Sequence, residues 1–168
     1  MNIPSLLCRL TGTAVLVLAL FPLYAQETEL FVENVTAEAG GEVAVNVRAR
    51  GLTSVVGMQF SIAWDTLLLE FVSASELDIP RAMTGFNERA LDQGTIGYLA
   101  VQNGLEGFSL PDSVVLFTVN FQSLSPHQEV TEIRFDSIPL RIRLTDPENN
   151  DVTSLLISGE VTLDGTNG

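Results

Sequence analysis

Lysine is absent from this chain, and cysteine, histidine and tryptophan each occur once in 168 residues. The single cysteine, Cys8, lies near the N-terminus, so everything after it lacks a thiol for a disulfide or a cysteine-based metal site. The single histidine, His127, sits in LSPHQEV, a polar stretch following an apolar alternation, and reads as a solvated turn residue. The usual nucleophile and base pairings therefore have few members, and none of the 21 acids is marked by its neighbours as a general acid. The pattern points away from an enzyme. No cofactor is called for.

Long hydrophobic runs are missing as well. A membrane-spanning helix needs about 20 apolar residues. The run from Thr13 to Ala25 is shorter, contains Pro22, and is not followed by basic stop-transfer residues. It has instead the form of a secretory signal: one charge at Arg9, an apolar run from Ala14 to Leu23, and a small residue at Ala25. Residues 1–25 are expected to be a cleaved signal, and residues 26–168 one exported domain without a membrane span. A domain of that size can bury a core without covalent staples.

Eight arginines face 21 acids, for a formal net charge of −13, and the arginines form no cluster larger than a pair such as Arg141 and Arg143. Such a chain repels phosphate backbones, which excludes nucleic acid and anionic membranes as partners. The acidity fits a soluble exported domain, with a basic protein partner as the sharper alternative.

What is plentiful is short alternation. GEVAVNVRARG, VVGMQFSIAWD, LLLEFVSASE, GTIGYLAVQNG, SVVLFTVNFQSLSP, EIRFDS and LISGEVTL each repeat with period two between turn residues. Branched and aromatic side chains fill them, as a pleated surface favours. Val43, Val45 and Val47 should point inward, as should Val115, Phe117, Val119 and Phe121, leaving Asn46, Arg48, Thr118 and Asn120 outside. The nearest approach to a helix is NERALD, Asn87 to Asp92, which Gly85 and Gly94 limit to one turn. Seven to nine half-buried strands imply an all-β sandwich of two antiparallel sheets.

Two motifs invite a chemical reading. DPENND, residues 146–151, offers Asp146, Glu148, Asn150 and Asp151 as oxygen ligands, but Asp151 and Ile157 stand where a calcium loop of the helix-loop-helix type needs glycine and glutamate. An acidic surface loop is the simpler reading. Asn34-Val35-Thr36 fits a glycosylation sequon inside an expected strand. Sugar binding by a flat sandwich needs exposed rings, and the supply is thin: Trp64, Tyr98 and Phe108 are the candidates.

GMQFSIAWDTLLLEFVSAS resembles the third and fourth strands of cohesin domains: glycine, an alternating apolar strand, Tyr or Trp followed by Asp, then a leucine-acid pair. GTIGYLAVQNG is similar to the sixth strand of that family, DSVVLFTVNFQSLS to the seventh, and LISGEVTL to the closing strand, so that the resemblance covers about residues 29–163. It implies a nine-stranded jelly-roll sandwich, non-catalytic, that binds a dockerin-like protein module, itself calcium-bound, across the sheet of strands three, five, six and eight. By position, and by the alternation that places Phe60, Ile62, Trp64, Ile96 and Tyr98 inside, the partner-binding residues are Gly57, Gln59, Ser61, Leu99, Val101 and Gln102. Gln59 and Gln102 stand where the better-known members carry acids, so the familiar specificity need not hold. The alternatives are a carbohydrate-binding module of related fold, with polysaccharide as ligand, and a structural or adhesive sandwich without a dedicated ligand.

Overall fold

The computed structural model describes residues 27–104 and 106–165; the expected signal lies outside the described residues. Twelve strand segments follow one another: β1 (Thr28–Val32), β2 (Val35–Glu38), β3 (Glu42–Arg50), β4 (Gly57–Ala63), β5 (Leu69–Glu76), β6 (Ala82–Asn87), β7 (Thr95–Gln102), β8 (Val114–Ser123), β9 (Glu129–Asp136), β10 (Arg143–Thr145), β11 (Ser154–Ile157) and β12 (Gly159–Asp164). They form a five-stranded sheet, β11-β1-β3-β8-β5, and a seven-stranded sheet, β2-β12-β9-β4-β7-β6, with β10 pairing beside β9 on the same edge of β4. A single 3-10 turn, Leu91–Gln93, stands where NERALD suggested one helical turn, displaced toward Gly94.

Twelve segments replace the expected nine because two strands change sheets and break as they do so. β1 belongs to the first sheet and β2 to the second, with the break at Glu33 and Asn34; β11 and β12 divide likewise at Ser158. The two breaks sit side by side. Asn34 Oδ1 accepts a hydrogen bond from the Glu160 amide (2.8 Å), satisfying a donor that a continuous neighbouring strand would otherwise take. A Cβ on Gly159 would lie 2.7 Å from Val32 Cγ1 and 2.8 Å from the Glu33 carbonyl oxygen, so only glycine fits this crossing. β10 is a further short strand.

The core lies between the sheets. Val43, Val45 and Val47 are buried, as are Phe117, Val119 and Phe121. Val115 departs from its expected place: the β3–β8 register shifts between Val47 and Arg48, and Leu116 is the residue buried. A bulge inserts one extra residue and so turns the alternation over. Phe117 meets Tyr98 with ring centroids at 4.8 Å, Phe86 at 5.5 Å and Phe60 at 5.9 Å, joining β8 to β7, β6 and β4 across the sandwich. Burial, and secondarily the charge of Glu76, pushes the Tyr98 hydroxyl above its ordinary range. At about 1.5–3 kcal/mol per large side chain, these rings hold the two sheets together.

Replacing Gly159 by alanine should lower unfolding stability by about 1–3 kcal/mol, since backbone must move to admit the new methyl. Gly85→Ala, where a Cβ meets nothing within 4 Å, should change it by no more than about 0.5 kcal/mol. Urea denaturation of the two variants checks the contrast; equal effects would show that the crossing yields easily.

Candidate functional site

The outer face of β10, β4, β7 and β6 is built row by row from its pairing. Arg143, Gln59, Leu99 and Gly85 stand opposite one another across the four strands, and Thr145, Gly57, Val101 and Met83 form the next row. Inward positions on the same strands, Met58, Phe60, Ile62, Ile96, Tyr98 and Ala100, are buried. The pleat therefore delivers the alternate residues to the outside. Met83 is 62% exposed and Val101 45%, while Gly57, Gln59 and Leu99 are half-buried. A flat apolar strip results, widest at Leu99, Val101 and Met83.

One end of this face is covered. The segment 137–142, between β9 and β10, folds back over β4 and β7, carrying the cis peptide Ile138–Pro139. Ser61 fastens it from below: its Oγ donates to the Leu140 carbonyl (3.0 Å) and accepts from the Leu140 amide (2.8 Å). Gln59 Nε2 donates to the Arg141 carbonyl (3.0 Å). Leu140 lies on Gly97, where a Cβ would approach its Cγ to 2.8 Å. Small residues on β4 and β7 thus make the seat for a strap, on which Ile138 is 61% exposed.

A family model of the cohesin domain matches residues 28–163. The chain belongs to the cohesin family. Solved structures agree in fold: a type I cohesin of Clostridium thermocellum from a cohesin–dockerin complex is 20% identical, with a TM-score of 0.68, over 82% of this chain and 99% of that one. The sixth cohesin of scaffoldin B from Acetivibrio cellulolyticus, in complex with a dockerin, is 19% identical with a TM-score of 0.70, over 82% and 99%. A non-cellulosomal cohesin from the archaeon Archaeoglobus fulgidus is 15% identical with a TM-score of 0.67, over 84% and 94%. Sequence comparison with curated proteins gives no significant match.

Four of the six residues proposed for a cohesin docking face, Gly57, Gln59, Leu99 and Val101, share one surface in the structure. Two do not join it as expected. Ser61 points to that side but is 0% exposed, because the strap covers it. Gln102 shares the alternation of Ile96, Tyr98 and Ala100 and pairs with Ala82, so it turns inward at the strand end, with its Oε1 buried and without a hydrogen-bond partner among the described residues. Sequence reasoning missed Met83 and the strap. β6 escaped notice because Thr84 and Gly85 dilute its apolar pattern, although Ala82, Thr84 and Phe86 alternate with Met83, Gly85 and Asn87 as a strand requires.

The other candidate chemistries find little support. Trp64, Tyr98 and Phe108 are buried, and no aromatic ring is among the exposed large hydrophobic residues described, so stacking on sugar lacks its surface. In DPENND, Asp146 uses both carboxylate oxygens on Asn150: Oδ1 accepts from its backbone amide (2.8 Å) and Oδ2 from its side-chain amide (2.9 Å). Asp151 pairs with Arg143. The loop closes on its own side chains, and no group of three or more potential metal-ligating His, Cys, Asp or Glu occurs among the described residues. His127 is exposed in its turn.

Ser61→Ala should cost about 1–3 kcal/mol, because it strips the Leu140 amide and carbonyl of their shared partner. Hydrogen exchange at the Leu140 amide should accelerate in the variant; unchanged protection would show that the strap is held elsewhere. The Asn150 side-chain and backbone hydrogen bonds hold the Asp146 carboxyl below its ordinary 3.8. These bonds favour the folded loop above that pH and lose their effect as pH falls through the depressed folded value. An NMR titration placing Asp146 at or above 3.8 would contradict the closed loop.

Proposed function

We propose that this cohesin is an exported, non-catalytic module that binds a dockerin-like protein through the outer face of β4, β6 and β7. The observation carrying the proposal is the strip formed by Leu99, Val101 and Met83, three apolar side chains side by side on two paired strands of an otherwise acidic molecule. Scattered apolar residues on a surface need no explanation, but a contiguous flat strip marks a partner site. A sheet face of this kind receives a protein surface through apolar contact at its centre and hydrogen bonds at its rim. Gln59 supplies the rim group nearest the centre, with its amide nitrogen committed to the strap and its oxygen left to accept.

Cohesins related in fold were solved with dockerins on them, which supports a dockerin as the partner class here. Dockerins fold around calcium, so the interaction should require that ion. Assembly of secreted polysaccharide-degrading proteins, or attachment of such proteins at a cell surface, is the setting this reading favours. The sequence form of residues 1–25 supports export.

Affinity capture from the secreted proteins of the native source, with wild type beside Leu99→Asp and Met83→Asp, tests the face. Wild type should recover a partner that chelation of calcium releases, and each aspartate should weaken that partner's binding at least about 30-fold, the loss expected for a central contact. Circular dichroism keeps the comparison honest by showing that the variants fold. Equal recovery by all three baits would remove this surface from consideration, and retention of the domain on cellulose would favour the carbohydrate reading.

A further inference from the structure

β4, β6, β7 and β10 contain no aspartate or glutamate, although the chain has 21. The five-stranded sheet, by contrast, carries Glu29, Glu42, Glu70 and Glu76 on its strands, and β9, β12 and β2 carry their own acids. Arginine is distributed the opposite way. Of the seven arginines among the described residues, Arg48 and Arg50 lie on β3 and pair with Glu33 and Glu29; the other five all lie on or beside the seven-stranded sheet.

Three of these five flank the apolar strip. Arg143 stands on β10 in the row of Gln59 and Leu99, Arg141 on the strap next to it, and Arg81 at the start of β6 on the far side. Three interstrand steps separate the two edges, about 14 Å. Beside Gln59 a groove of about 600 Å³ opens, and Arg141, Arg143 and Asp151 are among its lining residues. Arg141 forms no ion pair among the described residues, and the Arg143–Asp151 pair (2.8 Å) is largely exposed. Arg81 pairs with Glu106 at 3.5 Å, both of them well exposed. Exposed pairs of this kind contribute little and exchange readily for a better-placed carboxylate.

The geometry points to an acidic partner: we infer that the surface received by this face presents apolar side chains flanked by aspartates or glutamates, which enter the groove beside Gln59 and meet Arg141 and Arg143. The inference rests on the docking reading of the same sheet and adds the chemistry of what docks. It reverses what overall charge suggests. At a net charge of −13 the molecule as a whole favours a basic partner, but the potential that matters at contact is that of the local surface, where paired guanidinium groups match carboxylates in shape as well as sign. The acids elsewhere repel a partner that approaches any other face, so the same distribution selects orientation.

Yeast-displayed dockerin modules, loaded with calcium and varied at exposed helix positions among Asp, Glu, Ser, Leu, Lys and Arg, provide a defined probe. They are sorted against wild type, the Arg141→Glu/Arg143→Glu variant and Leu99→Asp. Wild type should enrich Asp and Glu, and the double variant Lys and Arg. A selected acidic clone should bind the double variant at least about tenfold more weakly, chiefly through a slower on-rate, with the difference narrowing in about 0.5 M salt. Arg141→Glu alone, which breaks no ion pair, should show the same direction and guards against disturbance of the Asp151 loop. Enrichment of Lys and Arg by wild type, or of no charge at all, in clones still lost with Leu99→Asp would overturn the acidic-partner inference and leave the docking face standing. Absence of any clone binding wild type would overturn the dockerin reading itself, and this inference with it.

Discussion

Phe117 sits among Phe60, Phe86 and Tyr98, and the rest of the molecule depends on that cluster. It joins one strand of the five-stranded sheet to three strands of the other, so it fixes at once which sides of β4, β6 and β7 face inward. Aromatic contacts of this kind add about 0.5–1.5 kcal/mol each beyond the area they bury. A slip of one residue in any of those strands would expose a ring and bury a polar group. Once the rings are placed, the outer row of Leu99, Val101, Met83 and Gln59 has no freedom to be anywhere else. The proposed docking face is the reverse side of the core.

Small residues on that face serve two different ends. Gly57 and Gly85 keep the strip flat, whereas Ser61 and Gly97 lie beneath the strap, where Ser61 fastens Leu140 and Gly97 makes room for it. Their blandness has a structural cause: backbone of another segment approaches closely and needs a short hydrogen-bonding side chain and an absent one. Gln59 stands at the boundary, in the row of Leu99 and bonded to the strap through its side-chain nitrogen. The strap thereby sets the size of the exposed surface and brings Arg141 to its edge.

Charge follows the same division. Acids lie on β1, β2, β3, β5, β9 and β12, where self-repulsion favours solubility and discourages association between copies. The four strands of the proposed docking face hold none; a carboxylate in the middle of an apolar contact would be desolvated without compensation. Arginines tolerate that position better, since their stems cover apolar surface while the guanidinium reaches the rim. Apolar strip, arginine rim and acidic remainder form one electrostatic arrangement.

Alternation in the sequence was enough to determine an all-β sandwich, the inward sets of β3, β4, β7 and most of β8, and a family resemblance that the family model bears out. Periodicity is local, and local pattern states which side chains share a face. It says nothing about what comes to lie on that face. The division of two strands at Asn34 and Ser158, the bulge that buries Leu116 in place of Val115, and the inward turn of Gln102 each depend on a neighbour supplied by another part of the chain. The strap is the clearest case, for Leu140 meets Ser61 across 79 residues of sequence. Only tertiary structure covers Ser61, exposes Met83 and gathers Arg81, Arg141 and Arg143 around one strip, because those are properties of surfaces that meet in space and not of any single strand.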